Sequence, residues 1–221
     1  MELKALLFDL DGTLVDTAPD MVGALNRLLE KHKQPKADFA QASKLVSNGG
    51  RALVVHGFGD EIDDQKVDQL VQEFLAIYKT HVCVDSHLYE GLLASIEYCE
   101  ANKLRWGVIT NKPVELAKSV LEGLGLFQRC GILLGGDSLP VRKPDPVPML
   151  HACMVLNLAP SQCLYVGDHI RDIEAGNAAG MDTAVALWGY IQADDDPNDW
   201  NAKYLVRQPA GLLNLIKDLT Q

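Results

Sequence analysis

Short apolar runs rich in β-branched residues recur along the chain as KALLF, RWGVIT, GILLGG, QCLYVG and TAVAL, with helix-length intervals between most of them. In VELAKSVLEGLGL, for example, Leu116, Ala117, Val120, Leu121 and Leu124 fall on one helical face. Strands that alternate with helices cannot be joined by tight hairpins. The pattern therefore predicts an α/β fold with a mostly parallel sheet covered on both faces. With 221 residues, 48% of them hydrophobic, the chain is long enough for one large domain or two unequal ones.

One interval breaks the alternation. From about Asp16 to Val84 no convincing strand is visible, only helix-like stretches (APDMVGALNRLLEKH, ALVVHGF and DQKVDQLVQEFLAIYKTH) broken by Pro35 and by a SNGG turn at residues 47–50. The expected organisation is a core of residues 1–15 and 85–221 with a helical insert, residues 16–84, after the first strand.

Twenty Lys and Arg against thirty Asp and Glu give a net charge of -10, and no basic stripe appears, which argues against nucleic acid or an anionic membrane as partner. The first residues, MELKALLFDL, lack a basic segment followed by a long apolar stretch, and no apolar run approaches bilayer length. A cytoplasmic protein, monomeric or homodimeric, is the expectation. The five cysteines (Cys83, Cys99, Cys130, Cys153 and Cys163) are scattered and free of CxxC spacing, so they read as buried or inert thiols.

The first apolar run ends in FDLDGT, with Asp9 and Asp11 one residue apart and Gly12 following. Asp and Gly are common in turns, but a turn does not account for two neighbouring like charges. A calcium loop of the EF-hand kind starting at Asp9 fails, because Leu14 and Asp20 stand where glycine and glutamate are needed. Two carboxylates about 4 Å apart at an effective dielectric near 20 repel by roughly 4 kcal/mol, so positive charge should sit between or near them.

A second apolar run, QCLYVGD, ends in Asp168, and GDHIRD adds Asp172 at the start of a helix-like segment. In an open parallel sheet the carboxyl ends of the strands face one crevice, where Asp9, Asp11, Asp168 and Asp172 would converge. An oxygen-rich, cysteine-free cluster suits Mg2+. Two other strand ends carry opposite chemistry. RWGVIT leads into Thr110, Asn111, Lys112 and Pro113, where a hydroxyl, an amide and the free N–H groups of a starting helix form an anion-binding corner. VRKPDP places Lys143 in an extended loop near the third strand end, as the missing counter-charge.

Acidic groups for a metal, a carboxylate pair, and donors with a lysine for an anion point to a phosphate ester as substrate. Asp9 would attack phosphorus in line and form an aspartyl phosphate. Asp11, kept protonated by crowded anionic surroundings, would protonate the leaving alcohol and later deprotonate water. Mg2+ would bridge Asp9 and a phosphate oxygen, while Thr110 and Lys143 bind the equatorial oxygens.

In order and across nearly the whole length, FDLDGT, VITN, KP and GDHIRD resemble the motifs of the haloacid dehalogenase superfamily of phosphohydrolases. The resemblance implies a Rossmann-like core, Asp9 as nucleophile and Asp11 as acid/base with its backbone carbonyl on the metal. It further implies Thr110 and Lys143 as phosphate binders, with Gly12, Thr13 and Asn111 beside them, Asp168 as a direct metal ligand and Asp172 acting through water. The helical insert resembles the family's small mobile cap. Dehalogenase members lack the second aspartate, and mutase members commonly carry Val where this chain has Thr13, so a plain phosphatase fits better than a sugar-phosphate mutase. The chain is similar to the phosphoglycolate phosphatase group, and WGVITNKPV and GYIQADDDPNDW are similar to enzymes that remove the 6-phosphate of N-acetylmuramic acid. A phospho-acceptor signalling receiver shares the acceptor aspartate, hydroxyl, lysine and Mg2+, but it lacks the insert.

Within the insert, SNGGRA offers Arg51 to a substrate carboxylate, or else forms a helix–helix turn with a surface arginine. Trp188 and Tyr190 either line the crevice or pack the core, with packing favoured for Trp188.

Overall fold

The computed structural model describes residues 2–220. Its main sheet has six strands, β1 (Ala5–Phe8), β4 (Arg105–Ile109), β5 (Leu133–Leu134), β6 (Cys163–Gly167), β7 (Asp182–Ala186) and β8 (Tyr204–Val206). They are parallel throughout, in the order β5-β4-β1-β6-β7-β8. Counted along the chain within this sheet, that order is 3-2-1-4-5-6, the doubly wound Rossmann arrangement.

The period of two along β1 divides the core. Leu6 and Phe8 join one apolar cluster with residues of α5 (Leu92–Ala101), α6 (Val114–Gly123) and α9 (Gly211–Leu219). Ala5 and Leu7 join another with α7 (Val147–Leu156) and α8 (Ile170–Ala179). All of β1 is buried, which explains why KALLF reads as a continuous apolar run rather than an alternating one.

Between β1 and α5 lie α1 (Ala18–Lys31), α2 (Phe39–Ala42), α3 (Gly49–Phe58) and α4 (Asp64–Lys79), with a 3-10 turn at Ser43–Asn48. They share their own apolar cluster, including Leu25, Leu28, Leu53, Leu70, Phe74 and Tyr78, to which the core contributes Leu116. The SNGG stretch joins the 3-10 turn to α3: Gly49, with φ +82°, and Gly50 start the helix, and a Cβ on Gly50 would lie 2.9 Å from the Phe74 ring. Close packing on α4 overrides glycine's weak helix preference there.

A two-stranded antiparallel ribbon flanks the helical segment, β2 (Val15–Asp16) against β3 (His87–Leu88). Asp16, read from the sequence as the first residue of the insert, is the last residue of β2. Asp20 ties the two ends of the segment together. Its buried carboxylate accepts hydrogen bonds from the amides of Val84, Asp85 and Ser86 and from the Ser86 hydroxyl, at 2.6 to 3.2 Å. Among the described residues no helix is long and apolar enough to cross a membrane.

Candidate active site

Parallel strands of matched register deliver their next residues to one place. Phe8 pairs with Val108 on one side and Val166 on the other, so Asp9, one residue on, and Thr110 and Asp168, two residues on, leave adjacent strand ends. Asp172 enters from the first turn of α8, where its Oδ2 accepts the His169 amide at 3.0 Å in a capping box. Glycine makes the approach possible. A Cβ on Gly167 would lie 2.3 Å from the Cβ of Asp172, and one on Gly12, whose φ is +78°, would lie 2.3 Å from Asp168 Oδ2.

Asp9, Asp168 and Asp172, all buried, each present a carboxylate oxygen within 4.8 Å of the others. Lys143 Nζ bridges part of this cluster, 3.0 Å from Asp9 Oδ1 and 2.6 Å from Asp172 Oδ1, and it donates to Tyr165 Oη at 2.8 Å. The Asn111 amide sets the lysine in place, donating to the Lys143 carbonyl at 2.9 Å and accepting its N–H at 3.1 Å. Asn111, expected as a phosphate binder, thus commits its side chain to positioning Lys143.

Burial opposes ionisation of Asp9, but the Lys143 cation, the Thr110 hydroxyl and the Leu10 amide outweigh it and hold Asp9 below the usual carboxylate range. Asp168 goes the other way. Burial and then the charges of Asp9 and Asp172 push it up to about 7, although Thr13, Ser47 and the Tyr190 amide all donate to it at 2.7 to 2.9 Å. Asp172 is also raised, chiefly by burial. A buried site with more carboxylates than cations fits a divalent ion, which would compensate the excess charge.

The Asp168 shift carries a stability prediction. Without metal, native Asp168 keeps its proton between about pH 4 and pH 7 while the unfolded chain has released it, so stability falls as pH rises through that window. The expected loss is on the order of a few kcal/mol. Melting temperatures with a chelator should fall from pH 5 to pH 7.5, and Mg2+ should raise them most at the higher pH. Asp168→Asn should flatten both trends; an unchanged slope in that variant would remove Asp168 as their source.

Asp11 stands apart from this cluster. The anionic crowding expected around it is not what the fold builds. Its Oδ1 accepts the Thr17 hydroxyl at 2.6 Å and Lys112 Nζ at 2.9 Å, so its nearest charged neighbour is a cation. Lys112, quoted in the sequence only as part of a helix start, is buried. Its ammonium lies 4.6 Å from the Tyr78 ring centroid, and its proton is held more tightly than usual because Asp11 outweighs the cost of burial.

The helical segment closes one wall of a cavity of about 580 Å³ that runs from Asp9, Asp11, Thr110 and Lys143 to Val71, Phe74 and Tyr78 of α4. Ser47 reaches Asp168, Asn48 Oδ1 lies 3.0 Å from His169 Nε2, and Arg171 donates to the Ser47 carbonyl. Arg51 borders the cavity but pairs with Asp64 and Asp68 of its own helical segment at 2.5 and 2.6 Å. Arg142 also borders it, is exposed, and makes no side-chain ion pair or hydrogen bond among the described residues. Trp188 Nε1 donates to the Thr13 carbonyl at 3.0 Å while its ring packs on the core. Tyr190 spans the crevice, its amide on Asp168 and its hydroxyl on Asp16 at 2.6 Å.

Comparison with known proteins identifies the family. The family model for haloacid dehalogenase-like hydrolases matches residues 6–186. A phosphoglycolate phosphatase of Xanthomonas campestris pv. campestris is 44% identical over 209 residues, 95% of this chain and 94% of that protein. An N-acetylmuramic acid 6-phosphate phosphatase of Pseudomonas aeruginosa is 41% identical over 216 residues, 98% of this chain and 96% of that one. The crystal structure of a predicted phosphoglycolate phosphatase from Haemophilus somnus superimposes with a TM-score of 0.87 at 27% identity, covering 98% of this chain and 99% of that one. Strand order, the placement of the acids and identity maintained from end to end lead to one assignment: the chain belongs to the haloacid dehalogenase-like hydrolase family.

Proposed function

We propose that the chain, a phosphoric monoester hydrolase, acts through an aspartyl-phosphate intermediate and uses Mg2+ held by Asp9 and Asp168, the Asp11 backbone carbonyl, and Asp172 through water. The observation that carries this reading is the meeting of Asp9, Asp168 and Asp172 within 4.8 Å, with Lys143 between Asp9 and Asp172. Mg2+ bound there would screen the repulsion between Asp9 and an anionic ester.

The Asp9 carboxylate attacks phosphorus; a P–O bond to Asp9 forms as the ester P–O bond breaks, and the leaving oxygen takes a proton from Asp11. Water then attacks the same phosphorus, gives a proton to Asp11, and inorganic phosphate leaves with the Asp9 carboxylate restored. Lys143 orients Asp9 and binds a non-bridging oxygen, and Thr110 with the amides following β4 binds another. The helical segment, proposed as a cap over residues 16–84, excludes water in the closed position. The reading places the enzyme in the cytoplasm, as a monomer or homodimer.

Both substrates named for the relatives, phosphoglycolate and N-acetylmuramic acid 6-phosphate, are phosphate monoesters that carry a carboxylate. A cavity of about 580 Å³ with an aromatic wall is far larger than a two-carbon acid fills, so it favours the amino sugar. Arg142, with no side-chain partner among the described residues, is better placed than the doubly paired Arg51 to meet the carboxylate.

The test is release of inorganic phosphate from both compounds, from hexose phosphates and from nucleotides, with Mg2+ and with a chelator. We expect metal-dependent release with the highest kcat/KM for the amino-sugar ester. Release that persists in the chelator would overturn the metal assignment, and preference for phosphoglycolate would overturn the size argument.

A further inference from the structure

We propose that Lys112 is a positioning residue for the acid/base step. By occupying Asp11 Oδ1 it fixes Oδ2 as the atom that carries the transferred proton, and it stabilises the charge that develops on Asp11 as the leaving group departs. This rests on the aspartyl-phosphate reading above.

Two donors converge on a single oxygen. Lys112 Nζ lies 2.9 Å and Thr17 Oγ1 2.6 Å from Asp11 Oδ1, whereas Oδ2 has no hydrogen-bond partner among the described residues. Oδ2 is also absent from the sealed, unpartnered side-chain atoms, and Asp11 lines the cavity, so this oxygen faces the space where an ester would sit. An oxygen that accepts an ammonium and a hydroxyl has its lone pairs engaged, and a proton placed there would point at Lys112. A proton that Asp11 carries for transfer is therefore directed to Oδ2, and Oδ1 keeps its carbonyl character. When Oδ2–H breaks and the proton passes to the ester oxygen, the remaining charge spreads onto Oδ1 and the Lys112 contact, an ammonium on a neutral acid until then, becomes an ion pair. That contact is stronger in the transition state than before it, which is the condition for it to accelerate the reaction.

The chain fixes Lys112 tightly. Its amide donates to Thr110 Oγ1 at 3.2 Å just beyond β4, and its ammonium runs beneath the Tyr78 ring and against Met21 Sδ at 3.6 Å. Tyr78, Met21 and Thr17 belong to the helical segment and its entry, while Lys112 and Asp11 belong to the core. The acid is thus assembled only where the two parts meet.

Proton donation matters most when the departing alcohol is basic, so the test is the dependence of kcat/KM on the leaving group. We expect Lys112→Met to lower kcat/KM about 30- to 100-fold for alkyl phosphates, with a loss about tenfold smaller for para-nitrophenyl phosphate. Lys112→Arg should recover part of the alkyl-ester rate. Lys112→Gln keeps a donor of shorter reach without the charge and should show the same steepened dependence, which maintains the test if the methionine variant does not fold. Losses equal across esters, or an unchanged rate, in a folded methionine or glutamine variant would overturn the role. Failure of the underlying reading looks different: the wild-type protein would then form no acid-stable phosphoprotein from these same esters.

Discussion

Asp9→Asn is expected to remain folded and to lose phosphate release by roughly 10⁴-fold or more, because an amide oxygen is too poor a nucleophile to form the acyl phosphate. The fold should tolerate the change. The side chain keeps its shape, Leu10 N can still donate to its oxygen, and one of the carboxylates crowded within 4.8 Å loses its charge. Three measurements decide it together: phosphate release with Mg2+, acid-quench trapping of phosphoprotein, and a melting curve. Activity within tenfold of wild type, from a variant that melts normally, would place the nucleophile elsewhere.

Lys143→Met should damage activity and stability together. Lys143 is 2% exposed and touches Asp9, Asp172 and Tyr165, so methionine leaves buried anions without their protein counter-charge. Breaking a buried pair by removing one partner costs about 3–5 kcal/mol, and losing the group proposed to orient the nucleophile and bind the phosphate should reduce kcat by roughly 10³-fold or more. Saturating Mg2+ should restore part of the lost stability, since a cation again faces the carboxylates, but not the activity. Lys143→Arg should not rescue: the ammonium sits 2.6 to 3.0 Å from three oxygens, and a planar guanidinium does not fit that point-like socket. Full recovery in the arginine variant would reduce Lys143 to a generic positive charge.

The strand-tip acids were legible in the sequence because each follows a buried strand directly, so an apolar run marks position and direction at once. Asp9, Thr110 and Asp168 arrive together for that reason. Lys143 was legible only as a counter-charge that the acids required. Lys112 was not, because its place depends on α4 folding back to lay Tyr78 over it, a contact between residues 34 positions apart with no local pattern. The signal available was the unanswered charge of Asp11. The strands β2 and β3 are two residues each and offer no periodicity to read. SNGG, read as a turn, joins the 3-10 turn to α3 with Gly49 at φ +82°, and packing on Phe74 draws Gly50 into the helix start. Arg51 looked free because its acidic partners, Asp64 and Asp68, lie one helix further on.

The pairing of Val15 with Leu88 and of Asp16 with His87 has an implication for how such a chain diversifies. Because the departure and return of the helical segment lie side by side as one ladder, its ends span no distance that the sheet must accommodate. A longer, shorter or unrelated bundle can be grafted at the same doorway without bending a single strand of the catalytic layer. On the proposed reading, phosphoryl chemistry and substrate choice would then be inherited as separable modules joined by a two-rung seam.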